Sequence, residues 1–375
     1  MSELQVVFTG DIAFSGYYKD CEESILLESN IYSFFNNANA VIANIEAPIT
    51  SRKINSSRML NHVNSLKVVS FLKKINSRIW NIGNNHIMDC GEEGLIDTIM
   101  CAKKNNATCI GANIGGISIK DCYTIVKSKG VSCGIISITQ PFWALFDRDK
   151  KDVTLKWNNI DLVKEVIFSI REECDWIVLV VHGGEEFTDI PIVKVRRKYR
   201  ELLSCGADLI IGHHPHVVQN YELIGKKAIF YSLGNFVFDT DYQRQHSHSD
   251  TGIVLKLNLA KDDWNWEAIA TKMDRNTNKI TIANLPCIFT NLANDEYKEL
   301  WPYSSFQYIE AYHKVISYSD RKHSNCSKVR WFLRDLKKCT NKEWRRLLCG
   351  KMFLEIRLRS CKTIIQEYLV KDETM

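Results

Sequence analysis

One short stretch of this sequence, GADLIIGHHPH at residues 206–216, constrains the fold more than any other. It reads as an apolar strand over residues 208–211 that runs into a glycine and then places three histidines within four positions. A strand end that projects neutral imidazoles at one point is a typical way to hold a transition-metal ion. The stretch therefore predicts a sheet with a metal site at its edge, provided that further ligands are present elsewhere in the chain.

Four other predicted strands end in polar side chains of the same kinds. They are residues 4–8 before Asp11, 40–45 before Glu46, 78–82 before Asn85 and His86, and 176–181 before His182. Any one of these side chains, taken alone, is explained better by a polar turn. Ligand sites of open α/β sheets, however, lie at the carboxyl ends of the strands. His86 apart, six side chains in that position, with His214 and His216 included, therefore indicate one shared site.

The ligand types also fit one another. Carboxylate, amide oxygen and imidazole together suit Mn, Fe or Zn better than calcium or a metal that prefers thiolates. A site for two ions needs a carboxylate that both ions share, and Glu46 is the natural candidate. We therefore expect up to two divalent ions, with Asp11, Glu46, Asn85, His182, His214 and His216 as the metal-binding residues.

The order of the predicted elements indicates an α/β fold. Helical periodicity at residues 24–37, 63–75, 92–104, 159–174 and 194–205 alternates with the strands in the first part of the chain. Strands then follow one another at residues 217–223, 227–233, 251–259, 264–271 and 280–283. Between them, residues 232–236 read as a loop whose backbone amides could face an anion. This order predicts a sheet sandwich covered by helices.

Charge and cysteine content restrict the class of protein. Residues 296–375 hold 17 Lys and Arg against 10 Asp and Glu, whereas the remainder holds 32 against 34, so the basicity belongs to the end of the chain. The thirteen cysteines include no CxxC pair, which disfavours a disulfide framework or a structural zinc knuckle. With no visible signal peptide or membrane span, we expect a cytoplasmic protein, peripheral to the inner face of the membrane if the basic end binds there.

The C-terminal part differs in character from the rest. After residue 292, apolar residues at helical spacing stand among lysines and arginines, which predicts helices with an apolar stripe and a basic face. One interpretation is a helical appendage packed on the body. The other is contact with an anionic membrane surface or an acidic polymer. We divide the chain into a domain at residues 1–290 and a basic helical region at residues 291–375.

Six motifs in order, FTGDI, NIEAPIT, NIGNNHIMDCG, VVHGGEEF, GADLIIGHHPHVVQNYE and IFYSLGNFVFD, resemble the motif set of the CapA family of capsule and poly-gamma-glutamate synthesis proteins. That family belongs with the calcineurin-like metallophosphoesterases. The resemblance covers residues 4–283 and does not reach the C-terminal region. It implies a four-layer αββα metallophosphoesterase-like sandwich, here with a C-terminal helical appendage.

The resemblance also implies roles for individual residues. Asp11, Glu46 and His216 would surround one ion, and Glu46, Asn85, His182 and His214 would surround the other. His86 would act as general acid or oxyanion stabiliser with Asp89 as its orienting partner, and Glu186 matches the acidic position after the histidine motif, so the catalytic set is His86, Asp89 and Glu186. Ala13 stands where ordinary metallophosphoesterases carry a second imidazole, and His213 is left outside the ligand set.

The leading functional hypothesis is a metal-dependent hydrolase in cell-surface polymer biosynthesis, which acts on a phosphoester or on a polymer amide bond. The alternative is a non-catalytic polymer-binding or assembly factor that keeps the fold and holds an anionic chain. The expected partners are an anionic polymer or a phosphoester substrate and, through the basic C-terminal helices, a membrane surface. Nucleic acid is disfavoured, because the body of the chain is slightly acidic.

Overall fold

The computed structural model describes residues 3–21, 27–52, 61–141, 153–293, 295–298 and 307. Within these residues the α-helices are α1 Ser29–Asn36, α2 Val68–Lys74, α3 Gly91–Lys104, α4 Ile160–Arg171 and α5 Val193–Ser204. The strands are β1 Leu4–Ile12, β2 Ala40–Ile45, β3 Ile79–Asn81, β4 Thr108–Ile110, β5 Tyr123–Ser128, β6 Val131–Thr139, β7 Trp176–His182, β8 Leu209–His213, β9 Tyr221–Ile224, β10 Lys227–Phe230, β11 Asn235–Val237, β12 Thr251–Leu259, β13 Trp264–Met273 and β14 Ile280–Ala283.

The strands form two mixed sheets. The first sheet has the order β14-β13-β12-β1-β2-β3-β4, with β11 paired to β1, and the second has the order β5-β6-β7-β8-β10-β9. β1 to β4 run parallel to one another, and so do β6, β7, β8 and β10. In each sheet this parallel block brings the carboxyl ends of its strands to one edge.

The two sheets pack face to face with helices outside. Val6 and Phe8 of β1 share one core cluster with Val178 and Val180 of β7, so this cluster lies between the sheets. The alternate residues of the same strands point the other way, as strand geometry requires. Val7 packs with residues of α1, α2 and α3, and the outward residues of β7 pack with α4 and α5. The predicted four-layer αββα sandwich is confirmed.

Several predicted boundaries are close, and β2, β12 and β14 agree with the prediction. Two predictions near the site are wrong. The strand predicted at residues 4–8 continues to Ile12, because β2 and β11 both pair with its second half. The loop predicted at residues 232–236 instead leads into the buried strand β11, and the Gly234 carbonyl accepts a hydrogen bond from the Asp11 amide (2.8 Å). The amides of Leu233 and Gly234 donate within the protein, to the Gly212 carbonyl (3.1 Å) and the Ser232 hydroxyl (3.1 Å), so they do not face an anion as expected.

Other differences follow from short or weakly patterned segments. The helix predicted at residues 24–37 begins at Ser29 in the described part of the chain, and the one predicted at residues 63–75 begins at Val68. β4 has three residues, and the residues of β5 are mostly half-buried, so neither gives a clear apolar pattern. Both strands lie at sheet edges, where the sequence pattern is weakest.

The described residues after β14 return to the second sheet. The backbone carbonyl of Tyr221 in β9 accepts a hydrogen bond from the Leu292 amide (2.7 Å). The Arg196 guanidinium of α5 lies 4.1 Å from the centre of the Tyr297 ring. Most of the basic helical region predicted at residues 291–375 lies outside the described residues, so that prediction and the domain boundary stay predictions. Among the described helices, none is long and apolar enough to cross a membrane.

The packing between the sheets gives a stability prediction. Phe8 is fully buried between the sheets, whereas Phe168 on α4 is 82% exposed. We expect Phe8→Ala to lower the free energy of unfolding by about 3 to 5 kcal/mol, because it leaves a cavity in the core. The matched control Phe168→Ala should stay within about 0.5 kcal/mol of the parent. Urea unfolding followed by circular dichroism measures both, and equal effects of the two substitutions would contradict the assigned packing.

Candidate metal centre

The six predicted metal-binding residues come together where the carboxyl ends of strands from both sheets meet. Asp11 lies in β1, Glu46 and Asn85 follow β2 and β3, His182 ends β7, and His214 and His216 follow β8. Five of them are buried, and Asn85 is half-buried. Gly212 lets β8 reach this position, because a Cβ there would collide with the carbonyl oxygen of Tyr231, the residue after β10.

The carboxylate of Glu46 is at the middle of the cluster. Its Oε1 atom lies 3.6 Å from Nε2 of His216, 3.7 Å from Nε2 of His182 and 3.8 Å from Nε2 of His86. The side chain is fully buried, and neither oxygen has a hydrogen-bond partner among the described residues. Burial of a carboxylate without hydrogen bonds is costly unless a cation neutralises it. The surroundings of Glu46 therefore fit a bound metal ion.

Two groups of candidate ligands share this carboxylate. Asp11, Glu46 and His216 offer ligand atoms that all lie within 4.8 Å of one another, and so do Glu46, His182 and His214. The Asn85 side-chain oxygen is 2.9 Å from Nε2 of His182, which places it beside the second group. The structure thus gathers the same two sets that the resemblance implies, although ligation itself stays a prediction.

The three predicted catalytic residues border the cluster. Nδ1 of His86 is 2.7 Å from Oδ2 of Asp89, which also accepts a hydrogen bond from the His62 amide (2.7 Å). This contact turns Nε2 of His86 toward Glu46. Oε1 of Glu186 lies 4.0 Å from Nε2 of His214, and its other oxygen accepts a hydrogen bond from the Tyr242 hydroxyl (3.0 Å). All three residues are thus placed at the candidate centre.

The backbone around the centre is strained. Ala47, Phe187, His214 and His216 have φ values of 115°, 57°, 95° and 58°, in the left-handed region that side chains other than glycine rarely adopt. Each such residue costs about 1 to 3 kcal/mol and persists only where its surroundings fix it. Hydrogen bonds from the Phe187 amide to the Pro215 carbonyl (2.8 Å) and from the His214 amide to Oδ2 of Asp11 (3.2 Å) provide this support.

Burial and charge set the protonation of the cluster. Burial lowers the pKa of His182 and of His214 well below the usual range, so both rings are neutral and can bind a metal. Burial opposes ionisation of Asp11, but hydrogen bonds to His213 and His216 outweigh it and hold its pKa well below the usual range. Burial, reinforced by the charges of Asp11 and other nearby carboxylates, raises the pKa of Glu46 well above its ordinary value.

The environment of His216 favours the cationic form of its ring. Burial alone would lower its pKa, but the charge of Glu46 and the hydrogen bond to Asp11 outweigh burial and raise the pKa to about 10. The proton on His216 balances the negative charge of Asp11, whose pKa is lowered. A metal ion that binds there therefore has to displace this proton.

Sequence reasoning missed residues that orient the ligands. Nδ2 of Asn44 donates to Oδ1 of Asp11 (2.7 Å), and Nδ2 of Asn81 donates to Oδ1 of Asn44 (2.6 Å). Asn235 of β11 lies 3.1 Å from Nδ1 of His216. The available signal was an asparagine inside an apolar strand, which is buried only if its amide is hydrogen-bonded. His213, which the sequence left outside the ligand set, lies 3.1 Å from Oδ1 of Asp11 and belongs to neither group above.

Comparison with known proteins agrees with the motif order. A "PGA biosynthesis protein CapA" of Bacillus subtilis (strain 168) is 29% identical over 260 residues, which cover 68% of each chain. A "Capsule biosynthesis protein CapA" of Bacillus anthracis is 28% identical over 255 residues, 64% of this chain and 61% of that protein. Among solved structures, the Haemophilus influenzae NAD nucleotidase aligns with a TM-score of 0.42 and 13% identity over 85% of this chain and 60% of that one.

A family profile settles the membership. The profile described as "Bacterial capsule synthesis protein PGA_cap" matches residues 5–240, which is more than half of the chain and includes every residue of the two candidate ligand groups. The chain therefore belongs to the PGA_cap family of bacterial capsule synthesis proteins, in agreement with its two CapA relatives.

Proposed function

We propose that this chain is a metal-dependent hydrolase of cell-surface polymer biosynthesis that cleaves a phosphoester or an amide bond of an anionic polymer. The observation that carries the proposal is the buried Glu46 carboxylate, which lacks hydrogen-bond partners among the described residues and is shared by two groups of ligands. Membership in a capsule synthesis family supports the biological setting. The names of the two Bacillus relatives support capsule or poly-gamma-glutamate as the polymer.

The donor set fits divalent ions of the Mn, Fe or Zn type, because it combines carboxylate, amide and imidazole groups. In this proposal Asp11, Glu46 and His216 hold one ion. Glu46, Asn85, His182 and His214 hold the other. When bound, such ions polarise the scissile bond and activate water at neutral pH.

The residues of the chain itself supply positioning and proton transfer. A carboxylate only accepts hydrogen bonds, so Asp89 fixes a proton on Nδ1 of His86 and leaves Nε2 directed at the centre. To donate from Nε2 the ring has to carry a proton there as well, so His86 would assist the leaving oxygen, or stabilise the charge that develops on it, as an imidazolium held by Asp89. The His86 ring is 5% exposed, so it is largely shielded from bulk solvent.

A non-catalytic polymer-binding or assembly factor is the second candidate. It is favoured by Ala13, which is buried and has no side-chain ligand atom at the position where ordinary metallophosphoesterases, by the motif resemblance, carry an imidazole. An ion held by three protein ligands would still attract an anionic chain without activating water well. Turnover by the parent protein decides between the two candidates, since a binding factor shows metal uptake and polymer binding without hydrolysis.

The enzyme proposal predicts turnover. With added Mn²⁺, the parent should hydrolyse a generic phosphoester such as p-nitrophenyl phosphate or its diester. His86→Ala should lower kcat by about 10² to 10⁴-fold, the usual contribution of a general acid or base, while metal binding is retained. His182→Ala should lose both turnover and one bound ion.

The control for this experiment is His248→Asn. His248 is exposed and has φ of 63°, a conformation that asparagine tolerates, so this variant should keep the activity of the parent. Activity is measured by product absorbance and bound metal by elemental analysis. A parent that binds metal but has no turnover on esters or on poly-gamma-glutamate would reject the enzyme proposal in favour of the binding factor.

The second prediction concerns stability and metal. Manganese at about 100 times its Kd should raise the free energy of unfolding of the parent by about 2.7 kcal/mol. Glu46→Gln should remove this increase, because the shared ligand is lost. In metal-free buffer the same variant should be at least as stable as the parent, since no hydrogen bond among the described residues reaches the Glu46 oxygens. Thermal and urea unfolding test both parts, and a clear loss of metal-free stability would show that the carboxylate is satisfied without an ion.

A further inference from the structure

The geometry points to Glu186 as a further metal ligand, a carboxylate that adds a donor atom to a centre where Ala13 provides none. The sequence predicts a catalytic role for Glu186 without saying what it touches. This inference rests on the proposed metal centre, and it concerns the ligand set and not the reaction.

Glu186 lies against one histidine of each proposed ion. A carboxylate oxygen of Glu186 is within 4.8 Å of ligand nitrogens of both His214 and His216, which are themselves within 4.8 Å of each other. The separation from Nε2 of His214 is 4.0 Å. Two ligands of one ion are usually about 3 to 4 Å apart, given metal–ligand distances near 2.0 to 2.2 Å. The carboxylate is therefore close to a ligating position already.

The exposure of Glu186 differs from that of its neighbours. Its side chain is 27% exposed, whereas that of His214 is 4% exposed and those of Asp11 and Glu46 are fully buried. The buried ligands occupy the side of the centre that faces the sandwich. Glu186 is the more exposed side chain and occupies a side of the centre that solvent reaches. A carboxylate in that place can bind an ion and still be displaced by an incoming oxygen.

Neighbouring groups hold Glu186 in this position. The Tyr242 hydroxyl, which is buried, donates to one carboxylate oxygen (3.0 Å) and leaves the other beside His214. The next residue, Phe187, donates its amide to the Pro215 carbonyl (2.8 Å), which lies between the two histidines. The Phe187 ring stacks on His246 at 3.6 Å. This support fixes the loop after β7 to the loop after β8.

The charge and coordination of the centre favour such a ligand. Ala13 is buried, and its amide donates to the Val237 carbonyl (2.6 Å), so Ala13 offers no ligand atom to the proposed ion at His216. Asp11 and Glu46 alone leave excess positive charge beside two divalent ions. A third carboxylate reduces that excess and adds a hard oxygen donor, which shifts the preference toward Mn²⁺ and away from softer ions.

Metal titration of the full chain tests the inference. The protein is stripped with a chelator and titrated with Mn²⁺, and free Mn²⁺ is followed by electron paramagnetic resonance. Glu186→Gln should weaken the binding of at least one ion by about 10-fold or more, since residues that only support ligands already cost about 10 to 100-fold. Glu186→Asp should recover part of the affinity, and Tyr242→Phe should cause a smaller loss.

Glu185→Gln is the matched control. Glu185 is the preceding residue, has the same chemistry, is half-buried and belongs to none of the candidate groups in the described part of the chain. This variant should bind Mn²⁺ as the parent does. Equal affinities of Glu186→Gln and Glu185→Gln would overturn the inference. If Glu186→Gln does not fold, the Mn²⁺ affinities of the parent, Tyr242→Phe and Glu186→Asp are compared instead. Equal affinities of these three proteins would also overturn the inference.

The titration separates this inference from the proposed function. A parent that binds Mn²⁺ without hydrolysing any ester or polymer would end the enzyme proposal, while the loss of affinity in Glu186→Gln would still support ligation. If the parent hydrolyses the substrate but Glu186→Gln binds Mn²⁺ as tightly as the parent, the enzyme proposal stands and the inference about Glu186 is overturned. A parent that binds no divalent ion would overturn both.

Discussion

The Glu46 carboxylate determines much of what surrounds it. An ionised carboxylate without hydrogen bonds between two packed sheets would cost several kcal/mol, even after the protein relaxes around it, and burial accordingly raises the pKa of Glu46 well above its ordinary value. Three imidazole nitrogens at 3.6 to 3.8 Å from Oε1 are too far away to satisfy it as hydrogen-bond donors. The spacings from Glu46 to His216 and to His182 are, however, what a small cation between each ring and the carboxylate would require. The cost of burying Glu46 and the proposed metal binding therefore have the same structural origin.

Strain around the centre is consistent with this view. His214 and His216 keep left-handed backbone conformations only because Asp11, Asn235 and the β7 loop hold them. Four such residues at one site cost about 4 to 12 kcal/mol together, which is comparable to the whole stability of an ordinary domain. The large core between and outside the sheets has to offset this cost. The site thus depends on the sandwich for its stability, and the arrangement of the histidine loop depends on both sheets.

The sequence predicts the parts of this structure that have strong local signals. Long apolar strands such as β7 and the polar residues at their ends identify the layers, the sheet edge and the six candidate ligands. Prediction from the sequence fails where a contact joins residues that are far apart in the chain. β11 pairs with β1 across more than two hundred positions, and no local pattern shows that Asn235 would reach His216. Tyr242, which holds the Glu186 carboxylate, is likewise distant in the chain. The motif order identifies Glu186 as a site residue, but only the fold shows which groups it contacts.

Asp11 shows how the fold and the site are coupled. Its Oδ1 atom accepts from Asn44 of the first sheet and lies 3.1 Å from Nδ1 of His213 in the second, while its Oδ2 atom faces His214 and His216. One carboxylate thus bonds to strand ends of both layers. The ligand sets are complete only when the sheets have docked, because each contains residues from both. An ion that binds only the docked sandwich therefore raises the free energy of unfolding, and the increase grows with the ratio of ion concentration to Kd.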